Sequence, residues 1–167
     1  MTTVNLYCPN PIWYDADGTT IVGTDIGAGG LTFPITFPIT FGAAGQVIST
    51  GTLDYEGSWR SYPTITIDGP YTTATLTMLP LNIEILLVNP IVAGEQRIIT
   101  LSETSFNITD GAGGDKFSDL FSGNIVDFYV RPEDQFDGDQ SIQATFVDGV
   151  DGVTSATFEF REAYIGI

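Results

Sequence analysis

An all-β fold, built as a sandwich or a barrel, is what the sequence predicts. Three observations predict it. The hydrophobic pattern repeats every second residue, turn residues interrupt it at short spacing, and no window offers a helix of useful length. At 167 residues the chain suits one domain and is long enough to bury a substantial core. Its hydrophobic fraction of 43% is ordinary for a globular protein and argues against overall disorder.

The strands are read in chain order. Val4-Asn5-Leu6-Tyr7-Cys8 opens with an extended pattern. Thr64-Ile65-Thr66-Ile67-Asp68 alternates apolar residues with Thr, and Thr73-Ala74-Thr75-Leu76-Thr77-Met78 repeats the alternation. Residues 82–88, 96–101, 125–130 and 141–147 follow. The last strand runs from Val153 to Phe160, with Thr154, Ala156, Phe158 and Phe160 on one face. β-branched and aromatic residues fill these runs, because they pack well on a pleated surface. Asp17-Gly18, Asp68-Gly69-Pro70, Ala93-Gly94-Glu95, Asp110-Gly111, Asp148-Gly149 and Asp151-Gly152 mark the turns, since these residues tolerate positive φ. The best helical window is Phe117–Phe121, one turn halted by Gly123.

Residues 1–30 are looser and turn-rich and read as an N-terminal arm; residues 31–167 read as the main β domain. Such an arm packs either on a neighbouring subunit or on its own domain.

Composition excludes several functions. Twenty-one acidic residues against five basic ones give a net charge of −16, which disfavours nucleic acid and anionic membrane surfaces. Cys8 is the sole cysteine, so neither an internal disulfide nor a thiolate-rich zinc site is expected; a small buried hydrophobe is the plain reading. The chain has no histidine, which removes the commonest general base, the commonest transition-metal ligand and every Ser-His or Cys-His pair. No signal peptide is visible, and the longest apolar stretch, Leu79–Val88, is too short and polar to span a bilayer. Synthesis in the cytosol is expected. So are the absence of a cofactor and of a catalytic site.

Three segments are candidates for function. Residues 31–41 contain the repeat Phe-Pro-Ile-Thr, and Pro34 and Pro38 exclude a central strand because each lacks an amide hydrogen. In an extended chain Phe33, Phe37 and Phe41 share one face. That strip either docks on another subunit or covers the domain's own core, and Tyr7, Trp13 and Tyr14 in the arm are further candidate contacts. The second segment gathers Tyr55, Trp59 and Tyr62; with Tyr71 they are candidates for stacking on a sugar, for interface anchors or for ordinary packing. The third comprises acidic turns, Glu133-Asp134 with Asp137 and Asp139, and Asp148 with Asp151. Neither matches a twelve-residue calcium loop, and solvated turn residues are the expected reading. Residues 110–116 have the wrong spacing for a phosphate loop and read as a flexible hairpin loop.

A resemblance rests on particular strings. These are Phe-Pro-Ile-Thr-Phe-Pro-Ile-Thr-Phe at 33–41, Ile48-Ser49-Thr50-Gly51, Gly57-Ser58-Trp59-Arg60-Ser61-Tyr62-Pro63-Thr64-Ile65-Thr66-Ile67-Asp68-Gly69-Pro70, Gly94–Thr100 and Ala156–Gly166. From about Leu31 onward the chain resembles the C-terminal domain of distal tail proteins of long-tailed, non-contractile bacteriophages. The resemblance implies an antiparallel β-sandwich, a galectin-like or carbohydrate-binding-module-like jelly roll. It implies a place in the virion tail, near the hub joining tail tube to host-recognition apparatus. It implies no catalysis, only contacts with tail-tube and tail-tip proteins and with further copies in a symmetric assembly. The family's usual N-terminal belt domain has no counterpart in the roughly thirty residues before the sandwich. An accessory module, or a reduced form assembling through its arm, is then expected. A shared sandwich does not itself confer sugar binding, which stands as the alternative function.

Overall fold

The computed structural model describes residues 12–15, 19–22, 24–25, 46–132 and 140–165. Its strands are β1 (Ile12–Tyr14), β2 (Thr19–Val22), β3 (Thr24–Asp25), β4 (Gln46–Leu53), β5 (Thr64–Asp68), β6 (Thr73–Leu79) and β7 (Ile83–Leu87). They continue with β8 (Gln96–Leu101), β9 (Phe106–Asp110), β10 (Leu120–Gly123), β11 (Gln140–Val147), β12 (Ser155–Phe160) and β13 (Ala163–Ile165). The predicted helical turn is a 3-10 turn, Phe117–Asp119, leading directly into β10. The strand predicted at residues 4–8 and the Phe-Pro segment lie outside the described residues.

The architecture is an antiparallel β-sandwich. One sheet has the order β10-β7-β6-β11-β4-β3 and the other β2-β12-β5-β8-β9, while β1 and β13 form a separate ribbon. Strands from the first thirty residues join all three: β1 pairs with β13, β2 with β12 and β3 with β4.

Period-two patterning explains the layering. β11 pairs along its length with β4 and β6 and sends Ile142, Ala144 and Phe146 inward, Ser141, Gln143 and Thr145 outward. Facing them are Ile65, Ile67, Ile99, Ala156, Phe158 and Phe160 of the other sheet, in one continuous core. Full burial of each such aliphatic or Phe side chain stabilises by about 1.5–3 kcal/mol. The alternation even crosses irregular backbone. From Val47 to Tyr71 every odd-numbered residue is buried except Trp59, and no even-numbered one is.

The 125–130 segment is not a strand. Asn124 donates its side-chain amide to Asp127 Oδ2 at 2.6 Å, and the Phe128 amide bonds the Ile125 carbonyl at 3.2 Å. These local bonds compete successfully with a ladder. Phe128 and Val130 are nevertheless fully buried.

At the β8–β9 end, Arg97 points inward. Its Nε donates to Asp119 Oδ2 at 2.5 Å, and the side chains are only 8% and 6% exposed. Asn89 donates to the other Asp119 oxygen at 2.5 Å, and Arg97 Nη1 donates to the Gln96 carbonyl at 2.9 Å. These hydrogen bonds offset part of the cost of taking the two charges out of water.

Candidate functional site

At the opposite end of the five-stranded sheet, aromatic and basic side chains gather. Residues 59–61 pass between the end of β13 and Val130: Trp59 bridges Ala163, and Ser61 bridges Val130. Alternation then turns Arg60 and Tyr62 outward. The Arg60 guanidinium lies over three rings, 5.4 Å from Trp59, 5.9 Å from Tyr62 and 5.6 Å from Tyr129, while Arg131 lies 4.4 Å above Tyr129. Tyr62 and Tyr129 are themselves packed at 5.5 Å. Arg60 also donates to Glu103. Burial raises the Tyr62 phenol above its usual range, with Arg60 opposing the shift.

The adjoining ribbon adds more apolar surface. Trp13 and Tyr164 stand opposite each other, and Trp13 is 67% and Tyr14 54% exposed. Trp, Tyr and Arg are the residue types that anchor protein interfaces. Three of the chain's five basic residues, Arg60, Arg131 and Arg161, lie on this face or the groove beside it. The other two are engaged elsewhere, Arg97 by Asp119 and Lys116 by Asp110.

The groove has a volume of about 600 Å³. Tyr14 and Tyr62 supply aromatic rings; Glu103, Glu159 and Arg161 supply charges. Ser61, Thr64 and Ser102 add hydroxyls, with Leu101 and Phe160 as further apolar lining. The residues come from β1, the start of β5, the ends of β8 and β12, and the chain beside them. A smaller cavity of about 300 Å³ lies beside Arg97, Asp110 and Lys116, whose charges are already paired, Arg97 with Asp119 and Lys116 with Asp110.

Two of the four candidate stacking residues are structural. Tyr55 and Tyr71 are each 2% exposed and cannot offer a ring face to a sugar. The Tyr55 hydroxyl donates to the Trp59 carbonyl and accepts the Ala163 amide at 3.0 Å, tying the 55–59 turn to β13. Burial raises its pKa. Tyr71 packs on Phe146 at 5.7 Å. Trp59 and Tyr62 remain partly exposed, sharing Arg60. Of the candidate contacts, Trp13 and Tyr14 are exposed, whereas Tyr7, Phe33, Pro34, Phe37, Pro38 and Phe41 lie outside the described residues, as do Glu133, Asp134, Asp137 and Asp139. Asp148 accepts the Thr72 hydroxyl at 2.6 Å. In the 110–116 loop, Asp110 Oδ1 accepts the Ala112 and Gly114 amides at 3.0 and 2.7 Å. Sequence reasoning missed Tyr129, Arg131, Glu103, Glu159 and Arg161.

An antiparallel sandwich of two large sheets, with a ribbon closing one end, defines the class to which the fold belongs. Among solved structures, SPP1 Dit, described as a paradigm of hub adsorption apparatus in Gram-positive infecting phages, is similar to it. The match has a TM-score of 0.60 and 15% identity and covers 94% of this chain and 50% of that one. The chain thus spans about half the length of the structure it matches, and at this identity the likeness is one of fold. The sequence matches no protein-family model and no curated protein.

Proposed function

We propose that this chain is a structural module of a bacteriophage tail, placed at the distal end and working by contact with other tail subunits rather than by turnover. The observation that carries this reading is the likeness of fold to SPP1 Dit over 94% of the chain. The outward cluster of Trp59, Arg60, Tyr62, Tyr129 and Arg131 supports it, with exposed Trp13 on the adjoining ribbon, because these residue types are those of an interface anchor. In this reading the partners are tail-tube and tail-tip proteins and further copies of the chain in a symmetric assembly, and the protein resides in the virion. An interface of standard size, about 800 Å² per partner, suffices for stable docking once association entropy is offset.

The test is direct. Purified phage particles are probed with an antibody to the chain, and its position is imaged by cryo-electron microscopy. A fixed number of copies at one end of the tail is the expected result. Absence from purified particles sinks the reading.

A further inference from the structure

We propose that the groove between Tyr14 and Tyr62 is a binding site for a neutral oligosaccharide. This goes beyond the tail reading and stands without it. A sugar ring has apolar C–H faces and a rim of hydroxyls, so its site needs aromatic surface beside groups that accept and donate hydrogen bonds at fixed angles. The groove has both. Tyr14 is 54% exposed and belongs to the ribbon, and Tyr62 lines the groove from the irregular chain before β5. Glu159 and Arg161, two residues apart around the end of β12, supply an acceptor and a planar donor fork, and Thr64 and Ser102 add hydroxyls.

Charge selects the ligand class. Among the residues that line the groove, the carboxylates Glu103 and Glu159 outnumber the one guanidinium, Arg161, so the lining itself holds no excess of positive charge. The chain as a whole carries −16. An anionic glycan would meet long-range repulsion with no local excess of positive charge to offset it. A docking helix would need a continuous apolar floor, whereas hydroxyls and charges interrupt this one. The volume of about 600 Å³ lies within the range of small-molecule sites.

The experiment uses the intact chain and four probes: trisaccharides of glucose, galactose and N-acetylglucosamine, and a sialylated trisaccharide for comparison. Binding is measured by calorimetric titration and by NMR shifts. At least one neutral probe is expected to saturate with a Kd of about 1 mM or tighter, shifting Tyr14 and Glu159. Tyr14→Ala and Glu159→Gln are each expected to weaken binding about tenfold or more. Phe121→Ser, on β10 of the other sheet, should leave it unchanged. Glu159 is exposed on an outer sheet face, so its substitution tests the site even if Tyr14→Ala disturbs the ribbon. The proposal is overturned by no saturation by any neutral probe at about 10 mM, by binding unaffected by Glu159→Gln, or by preference for the sialylated probe. Hydrogen-exchange protection of the groove by phage tails, with none from the sugars, assigns it to a protein contact and equally overturns it.

Discussion

Replacing Asp119 by Ala tests whether the Arg97 pair is a structural keystone. The substitution removes the carboxylate 2.5 Å from Arg97 Nε and leaves a guanidinium that is 8% exposed. Arg97 Nη1 keeps its 2.9 Å bond to the Gln96 carbonyl. Breaking one side of a buried pair costs about 3–5 kcal/mol, because the other charge stays desolvated. The Asn89 amide loses its acceptor too, adding on the order of 1 kcal/mol. The expected loss is therefore about 4–6 kcal/mol, a large share of the roughly 5–15 kcal/mol that holds a typical domain together. For a chain of this size that lowers Tm by about 8–24 °C. Urea denaturation followed by circular dichroism and Trp fluorescence measures it. The double variant Arg97→Met with Asp119→Leu should recover most of the loss, since a well-packed apolar pair of similar volume carries no desolvation cost. A single-variant cost below about 1 kcal/mol, or a double variant no better than the single, refutes the reasoning.

Gly57→Ala should destabilise by about 1–3 kcal/mol in the same denaturation assay. A Cβ there would lie 2.4 Å from the Tyr55 hydroxyl oxygen and 2.8 Å from the Ala163 carbonyl oxygen, and the hydroxyl is already fixed between Trp59 and Ala163. Tyr71→Phe should be neutral or stabilising by up to about 1 kcal/mol, because the Tyr71 hydroxyl is buried with no hydrogen bond among the described residues. Burial raises the Tyr71 phenol above its ordinary pKa, so the unfolded chain loses that proton first. Its contribution is complete below about pH 10 and falls as pH rises further; Tyr71→Phe should flatten the alkaline decline seen in pH-dependent urea midpoints. The Tyr164 phenol, pushed up to about 12 by its hydrogen bond to Glu162, should ionise earlier in Glu162→Gln, read by ultraviolet titration. Arg60→Ala should cost less than about 1 kcal/mol of stability, yet reduce incorporation into tails in a complementation assay with purified particles.

Much of the fold was legible because its strands bury one face only. β5, β6, β8, β11 and β12 fall where Ile65/Ile67, Ala74/Leu76, Ile99/Leu101, Ile142/Ala144/Phe146 and Ala156/Phe158/Phe160 alternate with polar residues. Residues 125–130 carry the same signal but spend it in a turn fixed by Asn124 and Asp127, a bond that strand patterning does not register. The aromatics were harder. Tyr55 and Tyr71 stood beside turns and were open to stacking, interface or packing readings; both occupy odd positions in the buried register running from Val47. Extending that count through the irregular stretch would have placed them inside. The groove left no such trace. Tyr14, Tyr62, Glu103, Glu159 and Arg161 are scattered over nearly 150 residues, and only strand order brings them together. For the Phe-Pro repeat, whose residues lie outside those described, the two sequence readings stand as they were.

The ribbon of β1 and β13 places Ile12 directly across from Ile165. Neighbouring strands run about 4.8 Å apart, so the two positions are separated by little more than one residue's span. A short peptide joining those two positions would close residues 12–165 into a circle, and the exposed β6–β7 hairpin around Leu81 and Asn82 could then be opened to give new ends. By the same geometry the sandwich can be spliced into a loop of a larger host chain, entering and leaving through adjacent strands. The face bearing Trp13 and Tyr164 would then sit at the root of the graft, against whatever carries it.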